Sequence, residues 1–149
     1  MIHLSLAPGG PPLDAALIER AAQAALQHES AQGDLSVVVT DDEELQRLNR
    51  QYLGVDAPTD VLSFPASETD PESGARYLGD ILVSAPRAGQ QAQAAGHPLE
   101  AEVQLLVVHG VLHLLGYDHT EPDEKARMWA RQAGIMGALG LGDIEVRET

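Results

Sequence analysis

The succession of apolar patterns in this chain predicts an α+β fold, a single domain in which several helices pack on a small mixed β-sheet. Apolar and polar residues alternate over Ile2–Leu6, which is the period of a strand, and β-branched residues dominate Leu35–Val39. Between these segments, leucine and alanine recur at helical spacing from Leu13 to about His28. Strands and helices therefore follow one another along the chain, which shows no repeat and no domain boundary.

A second helix is predicted directly after the second strand. Thr40 and Glu43 match a capping box, in which the threonine caps the first turn and the glutamate reaches back to its amide. The acidic cluster there is read as a helix start favoured by the helix dipole, not as a metal site. The helix is predicted to end at about Tyr52.

Two further strands are predicted in the middle of the chain, at Val61–Phe64 and Leu78–Ser84, as the two arms of a hairpin. The segment Ser67–Arg76 between them is polar and acidic and contains a proline and a glycine. It is predicted to be a mobile connection.

The last third of the chain is predicted to be helical. A helix over Pro86–Ala95 is closed by Gly96, the next begins at Pro98 and carries His109 and His113, and the last runs from Pro122 to about Ala133. Beyond this helix, frequent glycines interrupt the helical pattern of apolar residues. Residues 134–149 are therefore predicted to be a loose tail of the single 1–149 domain.

Composition narrows the class of protein. The chain has 149 residues, 44% of them apolar and only 3% aromatic, as expected for a globular domain with an aliphatic core. It has no cysteine, which excludes disulfides and thiolate zinc sites and fits a reducing cytoplasm. No stretch reaches the roughly 18 apolar residues of a membrane span, and Met1–Pro12 lacks the features of a signal peptide. A cytoplasmic protein without a membrane partner is predicted.

The charge balance is strongly acidic. Nine lysines and arginines face 23 aspartates and glutamates, for a formal net charge of −14. Such a field repels polyanions and argues against broad nucleic-acid binding, although it is compatible with a local basic groove.

The segment His109–His119 has the pattern H-x3-H-x5-H, which predicts a metal site. Four residues of a helix turn through about 400° and rise about 6 Å, so His109 and His113 share one face. Gly116 is placed to end the helix as a left-handed cap residue, after which the chain can fold back and deliver His119. Three nitrogen ligands without a fourth are typical of a catalytic zinc site, whose open position holds a water.

Three blocks of the sequence resemble the YbeY family of bacterial zinc-dependent endoribonucleases, which act in ribosomal RNA maturation. The blocks are HGVLHLLGYDH at His109–His119, PTDVLSFP at Pro58–Pro65 and LGDI at Leu78–Ile81. They occur in the family's order and spacing, and the likeness covers about residues 35–133. The resemblance implies an α+β fold with a short mixed sheet and one zinc ion per chain on His109, His113 and His119.

The same resemblance implies a substrate and partners. It predicts cleavage of single-stranded RNA in 16S rRNA 3′-end maturation, a role in ribosome quality control, and the ribosome or its small subunit as a partner. One position departs from the family pattern: Leu53 stands where members commonly carry an arginine thought to engage RNA. Arg50, one turn earlier, is the candidate substitute.

Several carboxylates and hydroxyls near the motifs are candidates for supporting roles. Asp118 is predicted either to orient a histidine ligand or to cap the turn. Asp80 is predicted either to bind backbone amides at a strand start or to face the metal. The resemblance further predicts three residues lining a cleft beside the zinc: Thr59, Asp60 and Ser63.

The predicted catalytic unit is His109 with a zinc-bound water, whose pKa the ion brings to about 7. The resulting hydroxide would attack a phosphodiester or remove the proton of a ribose 2′-hydroxyl, and both routes stay open. The spacing also resembles the metzincin protease pattern H-E-x-x-H-x-x-G-x-x-H, with Gly116 as its glycine. The general-base glutamate of those proteases would fall at Gly110, so that mechanism loses its base.

Three functions are therefore compared. The leading hypothesis is a zinc-dependent endoribonuclease of rRNA processing. The second is a metal-dependent hydrolase of another substrate, such as a peptide. The third is a non-catalytic ribosome assembly factor whose zinc braces the turn after Gly116, which saturated ligation by four protein groups would favour.

Overall fold

The structure is a computed structural model that describes residues 1–144, apart from the side chain of Ser67. Within these residues the predicted α+β fold is confirmed, and each predicted strand and helix is present. The elements are β1 (Ile2–Leu6), α1 (Ala15–His28), β2 (Asp34–Thr40), α2 (Asp42–Leu53), β3 (Val61–Thr69), β4 (Arg76–Ser84), α3 (Ala85–Ala95), α4 (Leu99–Leu114) and α5 (Pro122–Ala138).

The four strands form one mixed sheet in the order β1-β2-β4-β3. β1 and β2 are parallel, as are β2 and β4, whereas β3 and β4 form the predicted antiparallel hairpin. In that hairpin Val61 lies opposite Val83, and Ser63 lies opposite Ile81. This register decides which side chains of β3 and β4 lie on the same face of the sheet, because side chains alternate along a strand.

One face of the sheet forms the core of the molecule. Leu35, Val37 and Val39 of β2 are buried on this face, while the residues between them are half-buried on the other. Helices α1 and α4 cover the core face, and α3 and α5 pack against α4. Helix α4 is therefore apolar nearly all round, as an enclosed helix must be. No helix of residues 1–144 is both long and apolar enough to cross a membrane.

The start of α2 differs from the predicted capping box. Asp41 caps this helix, and its side chain accepts a hydrogen bond from the Glu44 amide at 2.8 Å. Thr40 is instead the last residue of β2, paired with Ser84 of β4. The prediction was wrong by one residue because strand pairing holds Thr40 in the sheet.

Two other predicted boundaries also differ from the structure, at the connection between β3 and β4 and at the end of α5. β3 continues to Thr69 and β4 begins at Arg76, so the connection between them covers residues 70–75 instead of Ser67–Arg76. Helix α5 does not end near Ala133 but continues to Ala138.

The extra turn of α5 is stabilised by burial. Ile135 and Met136 continue the buried face that begins at Met128, and Leu139 is buried just beyond the helix. The predicted loose tail therefore does not begin at residue 134. Its last part, residues 145–149, lies outside the described residues.

Candidate metal centre

The end of α4 has the geometry predicted from Gly116. This residue has a positive φ of 100°, which favours glycine. Its amide donates to the carbonyl of His113 and the amide of Tyr117 donates to that of Leu112, each at 3.0 Å. These two bonds form a Schellman motif, which stops the helix and reverses the chain towards His119.

The reversal brings the three predicted histidines together. One ring nitrogen from each of His109, His113 and His119 lies within 4.8 Å of the others. The Nε2 atoms of His109 and His113 are 3.1 Å apart, and the ring centroids are separated by 4.6 to 5.5 Å. His109 is only 2% exposed, and the other two rings are half-buried. The group is thus enclosed on one side and open on the other.

The electrostatic environment keeps the inner rings neutral. Burial is the main cause that lowers the pKa of His109 to about 4, and the neighbouring His113 contributes to this shift. Burial and the proximity of His119 also lower the pKa of His113. Both imidazoles therefore keep a free lone pair near neutral pH, which metal binding requires. Three imidazoles that converge in this way fit a zinc ion.

Helix α5 forms the wall behind the histidines. The Trp129 ring lies edge-on to His109, at 6.0 Å between centroids, and to His119, at 5.5 Å. The Gln132 side chain is fully buried, and its Oε1 is 3.1 Å from Nδ1 of His109. The sequence assigns no role to Gln132 and predicts Trp129 as a core residue, with a stacking or metal-floor role as the alternative. Only their i, i+3 spacing on one helix hinted that they share a face.

The open side of the histidine group continues into a cleft of about 310 Å³. Thr59, Asp60 and Ser63 line it together with the three histidines, and Leu53 contributes to its rim. Among the described residues that line this cleft there is no lysine or arginine.

The three predicted cleft residues differ in their partners. The Ser63 hydroxyl donates to the carbonyl of Gly110 at 3.3 Å. Burial raises the pKa of Asp60 above its usual range, and a hydrogen bond from Gln91, at 3.2 Å, offsets part of that shift. Thr59, near the start of the block Pro58–Pro65, is half-buried.

The two predicted supporting carboxylates lie elsewhere. Asp118 is exposed and accepts a hydrogen bond from the His119 amide at 2.7 Å, which matches the turn interpretation rather than orientation of an imidazole. Asp80 accepts a hydrogen bond from the Tyr77 hydroxyl. It precedes Ile81, which faces α4, so alternation along β4 places Asp80 on the opposite face of the sheet. It therefore does not face the histidines, and within residues 1–144 its side chain is bonded to the Tyr77 hydroxyl and to no backbone amide.

Gly110 explains why the metzincin resemblance stops at the histidines. A Cβ atom at this position would lie 2.7 Å from Cγ2 of Ile81, so the residue faces β4 at close contact. A glutamate has no room there and would not point into the cleft. The arrangement lacks the general base of the protease mechanism for a steric reason.

Comparisons with known proteins give one consistent result. A family model described as Endoribonuclease YbeY matches residues 13–140. The protein of that name from Roseiflexus sp. (strain RS-1) is 50% identical over 141 residues, covering 89% of this chain and 88% of its own length. Its counterpart from Chloroflexus aggregans is 48% identical over 137 residues, with 87% and 90% covered.

A similar fold has been solved. The solution structure of TM1509 from Thermotoga maritima superposes with a TM-score of 0.59 and covers 100% of this chain and 99% of that protein. The sequence identity is 24%, so this likeness is one of fold.

Proposed function

This chain belongs to the YbeY family of endoribonucleases and is an enzyme, and from that premise we propose that it cleaves single-stranded RNA with zinc bound by His109, His113 and His119. The observation that carries the proposal is the convergence of three imidazoles at the end of a cleft. Within residues 1–144 the group has these three members and no fourth ligand. Three protein ligands leave a coordination position for a reacting group, whereas four would favour a structural role.

The exposed side chains of Leu53, which lines the cleft, and of its neighbour Tyr52 support a substrate with unpaired bases. Tyr52 is 61% exposed and Leu53 is 58% exposed, and the Tyr52 ring is held edge-on against Phe64 at 5.5 Å. Aromatic faces stack on unpaired bases, which are accessible only in single strands. No lysine or arginine is found in the described lining of the cleft. We therefore propose that contacts to the bases contribute more to RNA binding than contacts to the phosphates.

The biological substrate follows from the family. A role in rRNA maturation is implied by membership, and we propose 16S rRNA 3′-end maturation and ribosome quality control as its specific forms. The ribosomal small subunit would then be the partner that presents the RNA, which would offset the acidic charge of the chain.

The residues of the site divide the chemistry among them. A bound zinc ion supplies a Lewis acid and lowers the pKa of a coordinated water. His109 and His113 would hold the ion from α4, and His119 would hold it from the turn after Gly116. Asp60 is the carboxyl that lines the cleft, and its raised pKa suits it to accept or return a proton there.

The decisive experiment combines RNA cleavage with zinc content. The substrate is a single-stranded RNA that carries a 16S rRNA 3′ extension, with its duplex form for comparison. We expect the wild type to carry one zinc and to cleave the single strand, and His113→Ala to lose both properties. His3→Ala is the matched control, since His3 is exposed on β1, away from the site.

Each other result has a definite meaning. Stoichiometric zinc in His113→Ala would refute the ligand assignment. A wild type that binds zinc through the three histidines but cleaves neither RNA would refute the nuclease proposal and favour an assembly role.

A further inference from the structure

We infer that Gln132 is a positioning residue of the metal centre, where its side-chain amide fixes the tautomer and orientation of His109. The inference rests on the proposed metal site and extends it to a residue on a different helix. It concerns the tautomer and orientation of one metal-binding histidine. It can therefore be tested by measuring metal affinity, without a cleavage assay.

The contact between Gln132 and His109 is shielded from solvent. Gln132 is fully buried, and His109 is 2% exposed. The Oε1 atom of Gln132 lies 3.1 Å from Nδ1 of His109, within hydrogen-bond distance. Because both partners are enclosed, water does not compete for this bond, and its loss would leave a buried ring nitrogen unsatisfied.

The tautomer of His109 decides whether it can bind a metal. A neutral imidazole carries one N–H, and its other nitrogen offers the lone pair. The nitrogen directed at the ligand group is Nε2, which is 3.1 Å from Nε2 of His113. Metal binding at this point requires the hydrogen of His109 to be on Nδ1, and an acceptor must therefore lie beside Nδ1.

The amide orientation of Gln132 follows from the same requirement. With Oε1 towards His109, Gln132 accepts the Nδ1 hydrogen and leaves Nε2 free to bind. With its NH2 group in that place, Nδ1 would have to accept, and the ring hydrogen would move to Nε2 and point into the ligand group. One orientation of a single amide thus separates a ring that binds metal from one that does not.

The cost of this arrangement is visible in the same side chain. The Nε2 atom of Gln132 is buried and has no hydrogen-bond partner among the described residues. A core residue chosen only for packing would be apolar, since a buried unpaired donor is destabilising. The retention of a glutamine here is explained by the acceptor that it provides to His109.

The test measures zinc affinity and metal-free stability in the same variants. Gln132→Met keeps the length of the side chain and removes the acceptor, and Gln132→Glu keeps an acceptor. Gln104→Met is the matched control, because Gln104 is also a buried helical glutamine but donates to the Glu100 carbonyl within α4. Affinity is measured by competition with a chelator, and stability by the unfolding midpoint of the metal-free protein.

We expect Gln132→Met to bind zinc about 10- to 100-fold more weakly than the wild type. Its metal-free unfolding midpoint should stay close to that of the wild type, because the variant removes one unsatisfied donor while it creates another. Gln132→Glu should recover most of the affinity, and Gln104→Met should bind zinc as the wild type does.

Two results with the Gln132 variants would overturn the inference. The first is unchanged zinc affinity in Gln132→Met, and the second is an equal loss of affinity in Gln132→Met and Gln132→Glu, which would indicate a packing role. If Gln132→Met does not fold, the nitrogen NMR spectrum of the wild-type histidines decides. We expect the Nδ1–H tautomer for His109, and the Nε2–H tautomer would refute the inference. A wild type that binds zinc but cleaves no RNA would refute only the proposed function.

Discussion

Leu53 places an exposed apolar side chain on the rim of the histidine cleft. The resemblance to the YbeY family predicts an arginine at this position. The candidate substitute, Arg50, is exposed one turn earlier on α2 but is not among the residues that line the cleft. At this point the chain therefore presents an apolar surface beside the exposed Tyr52. This changes the kind of contact and leaves the metal ligands unaffected.

We predict that Leu53→Arg raises the affinity for single-stranded RNA. One added phosphate contact should also steepen the dependence of log K on log salt by up to about 0.7. Fluorescence anisotropy of a labelled RNA over a salt series measures both quantities. Val55→Arg is the control, because it adds the same charge at an exposed position outside the lining of the cleft. An equal gain in both variants would assign the effect to net charge, and no gain would make the missing arginine irrelevant.

At the scale of elements, the close packing of α4 against β4 sets the position of His109. Gly110 lets the helix lie directly on Ile81, one residue after the first ligand, and Ser63 of β3 bonds the Gly110 carbonyl on the same side. Any side chain at position 110 would push α4 away from the sheet and displace His109 with it. The glycine is therefore a packing requirement of the metal centre.

Gly110→Ala is predicted to destabilise the protein by about 1–3 kcal/mol, since the new methyl group overpacks the contact with Ile81. Gly89→Ala in α3 is the matched control, because a Cβ atom there meets nothing within 4 Å. That change should stabilise the protein by about 0.4–1 kcal/mol. Urea unfolding of both variants measures the two values. A stabilised Gly110→Ala would show that α4 and β4 can separate at no cost.

The first turns of α2 and α3 are joined by an ion pair. Arg87 donates two hydrogen bonds to Asp42, from Nε at 3.1 Å and from Nη2 at 2.9 Å, and Ser84 donates a third at 3.2 Å. The bond from Arg87 is the main cause that lowers the pKa of Asp42 below its usual 3.8. A lowered pKa stabilises the fold above the unfolded value, and this contribution is lost as the pH falls through the folded value.

Asp42→Asn should therefore be less stable than the wild type near neutral pH, by under about 1 kcal/mol because the pair is partly exposed. The difference should shrink as the solution is acidified below the ordinary aspartate pKa. Urea unfolding at several pH values measures it. Glu43→Gln removes a carboxylate from the same helical turn. It therefore measures how much of the lost stability is due to the helix dipole alone. A difference that stays constant with pH would show that Arg87 does not hold the carboxylate.

At the scale of the whole molecule, the dominant property is the net charge of −14. The cleft, as far as residues 1–144 describe it, contains no lysine or arginine to counter this charge locally. Nucleic-acid binding through many phosphate contacts is lost steeply with salt, and a net charge of this sign disfavours that kind of binding.

We predict that the affinity for single-stranded RNA falls by less than about tenfold between roughly 50 and 200 mM salt. Proteins with several phosphate contacts lose about a thousandfold or more over the same range. Titrations of the wild type with a labelled RNA decide the question. A loss of about a thousandfold would place several basic side chains on the phosphates and contradict the proposed grip through bases.

Much of the fold could be predicted because its signals are local. The strand β1, the hairpin of β3 and β4, and the Gly96 cap of α3 follow from alternation and from glycine. The histidine group was predicted for the same reason, since i, i+4 spacing and a glycine cap act within a few residues. Where neighbouring strands or burial intervened, prediction failed, as at Thr40 and at the end of α5.

The sequence by itself determined that His109, His113 and His119 could meet at the end of a helix, and that the fold is α+β. Only the tertiary structure decided what surrounds them. It placed Gln132 and Trp129 behind the rings and turned Asp80 to the far face of the sheet. The reason is physical: turns and helical faces depend on nearby residues, whereas the packing of α5 on α4 and the register of the sheet join segments that are distant in the chain.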